Sequence, residues 1–473
     1  MTEHGRTYDV VVIGAGSTGE NAADYAIKNG LSAVVVEKEL VGGECSYWAC
    51  MPSKALLRPT EVIAAVERIP AAAAALEGGV DVDKVLKLRD SFAANWDDKY
   101  QVQWLDDTGI DLVRGIGRLS GEREVTVEHE DGSTTVLTAN RAVVIATGSV
   151  AAIPPIDGLK DVDPWDNRDA TTAKEVPERL LVLGGGVVGV EMAQAWKRLG
   201  SGEVTIVEMQ DRLLPTHEPF VGDELREALE SEDIRVLTDA KLVAASREGS
   251  DGPVTGRLED GTELEADEIL VAVGRRAVSR DLGLETVGLE PDGSLEVDGH
   301  LRVKGVEDGW LYAAGDVNGR SLLTHMGKYQ ARLIGGHIAD PDTDEAWADD
   351  TATPAVVFTD PQVASVGLTE AQARERYDDV TTVRHDVGDV AGGALMGKGF
   401  SGPAQLVIDA DRQVIVGATF VGPGIGELLH AATIAIVSEI TMDRLWHAVP
   451  AYPTVSEVWL RLQEQWREKM QGS

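Results

Sequence analysis

Cysteine is nearly absent from this chain: of its 473 residues only two, Cys45 and Cys50, carry a thiol. Basic residues are scarce beside acidic ones, with 43 Lys and Arg against 80 Asp and Glu, so the formal net charge is −37. A charge of this sign disfavours nucleic acid and anionic membranes as partners. No apolar run reaches the roughly 18–20 residues of a transmembrane helix. Because the polar start, Met1–Tyr8, leads straight into a predicted strand without a signal peptide, we expect a cytoplasmic protein.

The two thiols are neighbours in sequence, spaced C-x4-C directly after two glycines. A regular helix would hold their Cα atoms roughly 8–9 Å apart, whereas a disulfide requires less than about 7 Å. A bridge between them therefore needs an irregular backbone, and Pro52 fits a helix that begins late. In the cytoplasm such a pair is typical of a transient, catalytic disulfide. The alternative is two unrelated thiols that happen to be close.

One sequence pattern occurs twice. A buried strand leads into the glycine loop 14–19, a helix, and a second strand that ends at Glu37. Another strand leads into the loop 184–189, a helix, and a strand that ends at Glu208. In this fingerprint the glycines let a pyrophosphate approach the helix N-terminus, and the acid accepts from a ribose hydroxyl. The repeat predicts two dinucleotide sites, one holding its ligand tightly and one exchanging it.

The order of these patterns predicts an α/β fold with two Rossmann-like dinucleotide-binding domains and a C-terminal α+β domain of different character. We expect a Pro- and Asp-rich linker at 157–166 and another boundary at 340–345. The predicted divisions, in chain order, are residues 1–150, 151–280, 281–345 and 346–473. A family resemblance implies their roles, which are, respectively, the first part of an FAD-binding domain, an NAD(P)-binding domain, a central return to the FAD-binding domain and a dimerisation domain.

The chain resembles the class I flavoprotein pyridine nucleotide-disulfide oxidoreductases, which include dihydrolipoamide dehydrogenase, glutathione reductase and mercuric reductase. The resemblance spans essentially the whole chain. It is carried by both glycine loops and by the following segments: Gly42-Gly43-x-Cys45-x4-Cys50-x-Pro52-Ser53-Lys54, Ala146-Thr147-Gly148, Ala272-Val273-Gly274-Arg275, Ala314-Gly315-Asp316, Phe358-Thr359-Asp360-Pro361 and Tyr452-Pro453-Thr454-Val455-Ser456-Glu457.

The resemblance implies FAD as the tightly held cofactor and NADH, rather than NADPH, as the exchanging one. Glu208 favours NADH because a carboxylate repels a 2′-phosphate. The residues implied to bind the flavin side are Gly14, Gly16, Gly19, Glu37, Lys38, Gly43, Lys54, Gly117, Thr147, Gly148, Asp316 and His325. Those implied to bind the nicotinamide side are Gly184, Gly186, Val188, Gly189, Glu208 and Gly274.

The resemblance also implies the catalytic roles. Lys54 and Glu191 match the pair that meets where nicotinamide stacks on flavin. Cys50 is the thiol nearer the flavin, and Cys45 is the exchange thiol that attacks a substrate. Electrons would pass from NAD(P)H through flavin and this disulfide to a small-molecule acceptor.

One position departs from the family pattern. The disulfide reductases place a histidine, supplied by the partner subunit and oriented by a glutamate, where this chain has Tyr452 and Glu457. A phenol with a pKa of about 10 is a poor base near neutrality compared with imidazole at about 6.5. Mercuric reductases carry tyrosine at this position, but their additional C-terminal cysteine pair is missing here.

Three interpretations follow from this departure. The first is a homodimeric reductase of disulfides, similar to dihydrolipoamide dehydrogenase, with an unusual acid–base group. The second is a reductase of mercury, other metal ions or quinones that uses the same flavin and dithiol. The third is a non-catalytic interaction protein that kept the fold, which the intact cysteines and glycine loops disfavour. No metal site is predicted in any of them.

Overall fold

The two glycine loops follow buried strands of two separate parallel sheets. The computed structural model describes residues 2–249, 252–290 and 292–472. Its strands are β1 Thr2–Ile13, β2 Ala33–Glu37, β3 Asp111–Arg114, β4 Ile116–Gly121, β5 Glu124–Glu128, β6 Thr134–Ile145, β7 Ser149–Ala151, β8 Arg179–Leu183, β9 Glu203–Val207, β10 Ile234–Leu237, β11 Leu242–Arg247, β12 Val254–Leu258, β13 Glu263–Ala266, β14 Glu268–Val271, β15 Arg275–Ala277, β16 Leu311–Ala313, β17 Pro354–Val357, β18 Gln362–Gly367, β19 Val380–Asp386, β20 Pro403–Asp409 and β21 Val414–Gly422.

The helices connect these strands or follow them. They are α1 Ser17–Lys28, α2 Gly43–Tyr47, α3 Cys50–Glu67, α4 Pro70–Ala73, α5 Val82–Phe92, α6 Lys99–Thr108, α7 Asn167–Thr172, α8 Val187–Arg198, α9 Pro219–Ser231, α10 Thr324–Ala339, α11 Ala348–Thr351, α12 Glu370–Arg376, α13 Ala391–Leu395, α14 Leu429–Val437, α15 Met442–Leu445 and α16 Val458–Gly472. Within the described ranges, every helix is too short or too polar to cross a bilayer.

The chain divides into two compact units. The first comprises Met1–Pro52, Leu88–Ala152 and Arg275–Asp350, and the second comprises Ser53–Lys87, Ile153–Gly274 and Thr351–Ser473. The four domain ranges expected from the sequence stay a prediction.

The first unit is built on a seven-stranded sheet in the order β3-β2-β1-β6-β5-β4, with β16 also paired to β6. The pairs around β1 are parallel. Val10, Val11 and Val12 are fully buried, as expected of a parallel strand covered on both faces. Helix α1 packs on α10, where an added Cβ at Gly327 would lie 2.2 Å from Thr18 Oγ1 and one at Gly335 would lie 2.6 Å from Tyr25 Cβ. Glycine at these two positions lets the helices approach, which fixes α1 behind the first glycine loop.

The second unit contains a parallel sheet in the order β10-β9-β8-β14, a three-stranded sheet β11-β12-β13, and a five-stranded antiparallel sheet β17-β18-β21-β20-β19. Helix α8 follows β8 and buries Trp196 completely against the core of this unit. Helices α14 and α16 cover the antiparallel sheet, whose central strand β21 is buried along its whole length. The predicted mixed α/β class with a C-terminal α+β domain is confirmed.

The stretch 157–166 differs from the linker expected there. Leu159 and Val162 are buried in the core of the second unit, and the backbone of Trp165 forms an isolated β-bridge with Leu270 of β14. Composition rich in Pro and Asp indicated a linker, but three apolar residues in that stretch pack on the sheet or pair with it.

Candidate active site

The first glycine loop needs glycine at two positions for reasons internal to the fold. Gly14 has a φ of +97°, and an added Cβ there would lie 2.6 Å from the carbonyl oxygen of Ala146. An added Cβ at Gly19 would lie 1.9 Å from the carbonyl oxygen of Gly14. The turn and the packing of α1 on β1 therefore exclude side chains at both ends of the loop.

The second loop repeats this arrangement in the other unit. Gly184 has a φ of +108°, and its added Cβ would lie 2.5 Å from the carbonyl oxygen of Ala272. An added Cβ at Gly189 would lie 2.0 Å from the carbonyl oxygen of Gly184.

The middle glycine of each loop has open space where a side chain would stand. The nearest atom to an added Cβ at Gly16 is 3.9 Å away, and nothing lies within 4 Å of one at Gly186. Each is the N-cap residue of the following helix, and neither helix has a side-chain cap. Open space beside uncapped helix N–H groups fits the pyrophosphate of a dinucleotide, so both loops suit the cofactors expected from the sequence.

The acid at the end of each second strand is fixed to its own loop. Glu37 accepts from the backbone N–H of Ala15 at 2.7 Å and from that of Glu39 at 2.8 Å. Glu208 accepts from Gly185 at 2.6 Å and from Gln210 at 2.8 Å. Each carboxylate thereby fixes the backbone of its loop. It retains lone pairs that could accept a hydrogen bond from a ribose hydroxyl. Burial raises the pKa of Glu37 above its ordinary value.

The segment after β6 carries a polar cluster of the first unit. Thr147 Oγ1 donates to the carbonyl oxygen of Val278 at 2.6 Å, and Ser149 Oγ donates to Asp316. Arg275 donates to the hydroxyl of Ser149 at 2.7 Å and to its carbonyl oxygen at 2.8 Å. Ser149 and Arg275 were not expected to act here, although both stand in or beside segments that resemble the family. They fix the orientation of Asp316, an acid that the family resemblance implies to bind the flavin.

The helix between the two cysteines is interrupted. Cys45 lies in α2, which ends at Tyr47, and Cys50 begins α3. Both cysteines are reduced thiols and partly buried, and Cys50 Sγ lies 3.4 Å from Thr324 Oγ1. Hydrogen bonding with Cys50, followed by burial, raises the pKa of the Cys45 thiol above its usual range.

A partly buried acid, Glu20 in the first turn of α1, was missed by the sequence analysis. Burial raises its pKa to about 7, the charge of Glu37 adds to the shift, and the charge of Lys328 opposes it. No spacing pattern marks this residue, because its environment is formed by elements distant in sequence.

Lys54 and Glu191 meet within the second unit. Lys54 Nζ donates to Glu191 Oε2 at 2.7 Å, and the Glu191 side chain is only 3% exposed. The backbone N–H of Phe358 donates to Glu191 Oε1 at 2.9 Å, and the ammonium lies 5.0 Å from the centroid of the Phe358 ring. Both oxygens of the buried carboxylate are thus satisfied, which holds the ammonium in one place.

Tyr452 and Glu457 are not joined by a hydrogen bond in the part of the chain that the structure describes. Tyr452 is 78% exposed. Glu457 Oε2 accepts from the backbone N–H groups of Gly392 at 3.1 Å and Thr454 at 3.2 Å. The carboxylate therefore stabilises the turn that carries residue 452, not its ring.

The remaining expected residues fall into three groups. Gly43 contacts the first loop, since its added Cβ would lie 2.7 Å from Gly16 Cα, and Gly117 on β4 packs against Val36. Gly274 has a φ of +136° and open space around it. Lys38 and His325 are exposed, and Val188 packs on the core. Their roles in cofactor binding stay predictions.

Residues 8–331 match the family model "Pyridine nucleotide-disulphide oxidoreductase", and residues 353–462 match the dimerisation domain of the same family. The chain belongs to the pyridine nucleotide-disulphide oxidoreductase family. It is 35% identical to the dihydrolipoyl dehydrogenase of Haloferax volcanii, over 95% of this chain and 94% of that protein. It is 28% identical to a mercuric reductase of Staphylococcus aureus, over 95% of this chain and 81% of that protein. Its fold is similar to that of LpdA from Mycobacterium tuberculosis, with a TM-score of 0.85 and 24% identity, over 96% of this chain and 99% of that chain.

Because of the open space at Gly186, we expect a substitution there to weaken NADH binding without lowering the free energy of unfolding. Gly186→Ala should change the free energy of unfolding by less than about 0.5 kcal/mol and weaken NADH binding at least about tenfold. Gly189→Ala, the matched control, should cost about 1–3 kcal/mol because its Cβ meets backbone. Chemical denaturation and NADH titration measure the two effects. Unchanged NADH affinity in Gly186→Ala would contradict the pyrophosphate assignment.

Burial of Glu20 predicts a pH-dependent cost to stability. Below the ordinary pKa of 4.5 the carboxyl is protonated in both the folded and the unfolded chain. As the pH rises from there to about 7, the unfolded chain ionises first, so the folded state loses stability and the deficit persists at higher pH. The free energy of unfolding of Glu20→Gln should therefore equal that of the wild type at about pH 4 and exceed it by up to about 3 kcal/mol at about pH 8.

Urea denaturation of the flavin-containing protein at several pH values measures this difference. Glu130→Gln, on an exposed turn, is the control and should change stability little at either pH. A Glu20→Gln variant with no gain at the higher pH would show that the carboxyl is not penalised by burial.

Proposed function

We propose that this protein is an FAD-dependent oxidoreductase that uses NADH to reduce a low-molecular-weight disulfide through the Cys45–Cys50 couple. The observation that carries the proposal is the position of the two thiols. They lie on either side of a helix break, in a segment whose Gly43 contacts the first dinucleotide loop at Gly16. A dithiol beside a dinucleotide loop has the arrangement that a flavin-linked disulfide exchange needs.

The thiols perform the exchange step. The thiolate of Cys45 attacks one sulfur of the substrate disulfide, a mixed disulfide forms, and one substrate thiolate leaves. Cys50 then attacks Cys45 Sγ, so the second substrate thiolate leaves and the Cys45–Cys50 bridge forms. FAD and NADH, when bound, supply the two electrons that reopen this bridge.

Other residues of the chain support this step. The Thr324 hydroxyl, 3.4 Å from Cys50 Sγ, can donate to a thiolate there. The Lys54 ammonium is held by Glu191, and the family resemblance implies that this pair meets the nicotinamide. The leaving substrate thiolates need protons, and Tyr452 replaces the histidine that provides them in the disulfide reductases.

A reductase of metal ions or quinones is the second candidate, and Tyr452 is the observation that favours it. A thiophilic metal ion bound by two thiolates requires no proton delivered to a leaving sulfur. Mercuric reductases are among the relatives of this chain.

The protein is proposed to act as a cytoplasmic homodimer, with Tyr452 and Glu457 completing the site of the partner subunit. The match of residues 353–462 to the dimerisation domain supports the dimer. The exposure of Tyr452 in the single chain leaves its ring available to a second copy.

Glu208 predicts a preference for NADH, so kcat/KM should be higher with NADH than with NADPH. Its carboxylate occupies the end of β9, and Arg212 is engaged with Asp211 at 3.3 Å and with Pro215. Glu208→Gln keeps an acceptor for the loop but removes the negative charge. The ratio of kcat/KM with NADH to kcat/KM with NADPH should therefore fall about tenfold. Steady-state kinetics with both coenzymes measure this, and a wild-type preference for NADPH would refute the assignment.

Steady-state rates of reduction of lipoamide, small disulfides, Hg(II), Cu(II) and quinones will identify the electron acceptor. Cys45→Ser and Cys50→Ser should each abolish disulfide reduction. Tyr452→His should raise disulfide reduction by about 10²-fold or more, the usual contribution of a positioned base, with little effect on quinones. If metal ions are the true acceptor, the same change should instead lower their reduction.

Tyr452→Phe is the control for the phenol, since it keeps the ring and removes the hydroxyl. Quinone reduction that survives loss of both cysteines would assign that acceptor to the flavin alone. A Tyr452→His enzyme that is unchanged towards every acceptor would disprove a role for this position in acceptor choice.

A further inference from the structure

The segment between α5 and α6 adopts an unfavourable backbone. Ala94, Asn95 and Trp96 have φ values of 48°, 53° and 56°, three consecutive residues in the left-handed region. Asparagine tolerates this region, but alanine and tryptophan do not adopt it readily. Such a conformation persists only where surrounding contacts impose it, and it occurs most often at functional sites.

The turn directs the Trp96 side chain to the helix that carries Cys45. Its indole Nε1 donates to the carbonyl oxygen of Tyr47, the last residue of α2, at 3.2 Å. The guanidinium carbon of Arg89, whose side chain is fully buried, lies 5.8 Å from the centroid of the Trp96 ring. Trp96 thereby satisfies a carbonyl at the break between the two cysteine helices.

Asp98 acts at the other end of the same segment. It is the N-cap residue of α6, where an aspartate normally accepts from the first turn of its own helix, yet it makes no such bond. Its Oδ2 instead accepts from the backbone N–H of Val41 at 2.8 Å and from Arg114. The Asp98 side chain therefore bonds Val41, two residues before α2, and does not cap α6.

The segment Val41–Tyr47, which these two contacts hold at its ends, is also bonded internally. Tyr47 is completely buried, and its hydroxyl donates to the carbonyl oxygen of Val41 at 2.9 Å. Val41 and Tyr47 are therefore joined to each other and each is fixed by the α5–α6 connection. Cys45 lies between them.

We propose that Trp96 and Asp98 are positioning residues for the redox couple, which hold the two ends of Val41–Tyr47 so that Cys45 is presented to Cys50. A regular helix would keep the two Cα atoms too far apart for a bridge. Contacts that maintain the break therefore favour the disulfide over the dithiol. This inference rests on the proposed function, because it concerns the same pair of thiols.

The test is the dithiol–disulfide equilibrium of the flavin-containing protein in buffers of reduced and oxidised dithiothreitol. Acid quenching and alkylation count free thiols by mass, and the two cysteines are the only ones in the chain. Trp96→Phe, which keeps an aromatic ring and removes the donor, should lower the equilibrium constant for bridge formation about three- to tenfold, as expected for one lost hydrogen bond.

Trp104→Phe is the matched control, since this tryptophan is 39% exposed on α6, and it should leave the equilibrium unchanged. If Trp96→Phe fails to fold, benzothienylalanine at position 96 keeps the shape of the indole without its N–H and should give the same shift. An equilibrium constant equal to that of the wild type, in either folded variant, would overturn the positioning role. A wild-type protein that forms no Cys45–Cys50 bridge would refute the proposed function and the positioning role with it.

Discussion

The contact between Gly43 and Gly16 joins the redox segment to the first dinucleotide loop. The two backbones meet without side chains between them, since an added Cβ at Gly43 would lie 2.7 Å from Gly16 Cα. The backbone N–H of Gly42 also donates to the carbonyl oxygen of Ala15 at 2.8 Å. A side chain at this point would separate the dithiol from the loop that α1 and β1 fix. The location of both thiols therefore depends on this approach.

A second rigid group in the other unit holds Glu191. The Asp360 carboxylate accepts from Arg68 at 2.5 and 2.6 Å and from Arg198 at 3.2 Å. The backbone N–H of Asp360 donates to Gln194 Oε1, and its carbonyl oxygen accepts from Gln194 Nε2. Gln194 follows Glu191 by one turn of α8, and Phe358, which donates to Glu191, precedes Asp360 by two residues. This network ties the segment 358–360 to α8, so the bonds to Glu191 are fixed by buried charges that satisfy one another.

Local patterns predicted the parts of the site that depend on neighbours in sequence. Both glycine loops, with Glu37 and Glu208, follow from strand–loop–helix spacing, because the pyrophosphate geometry requires that spacing. Lys54 and Glu191, 137 residues apart, were expected only from the family resemblance. Phe358, Trp96 and Asp98 act through backbone groups or from separate elements, and no residue type or spacing marks such contacts in a sequence. The stretch 157–166 was misjudged because composition does not reveal that Leu159 and Val162 are buried.

The bonds of Glu37 and Glu208 have a consequence for how a nucleotide would bind. Each carboxylate holds its glycine loop through backbone N–H groups of the chain itself. The conformational entropy of these loops is therefore lost when the protein folds, and little of it remains to oppose association. Affinity at both loops should depend on direct contacts with the ligand, with only a small contribution from ordering the loop.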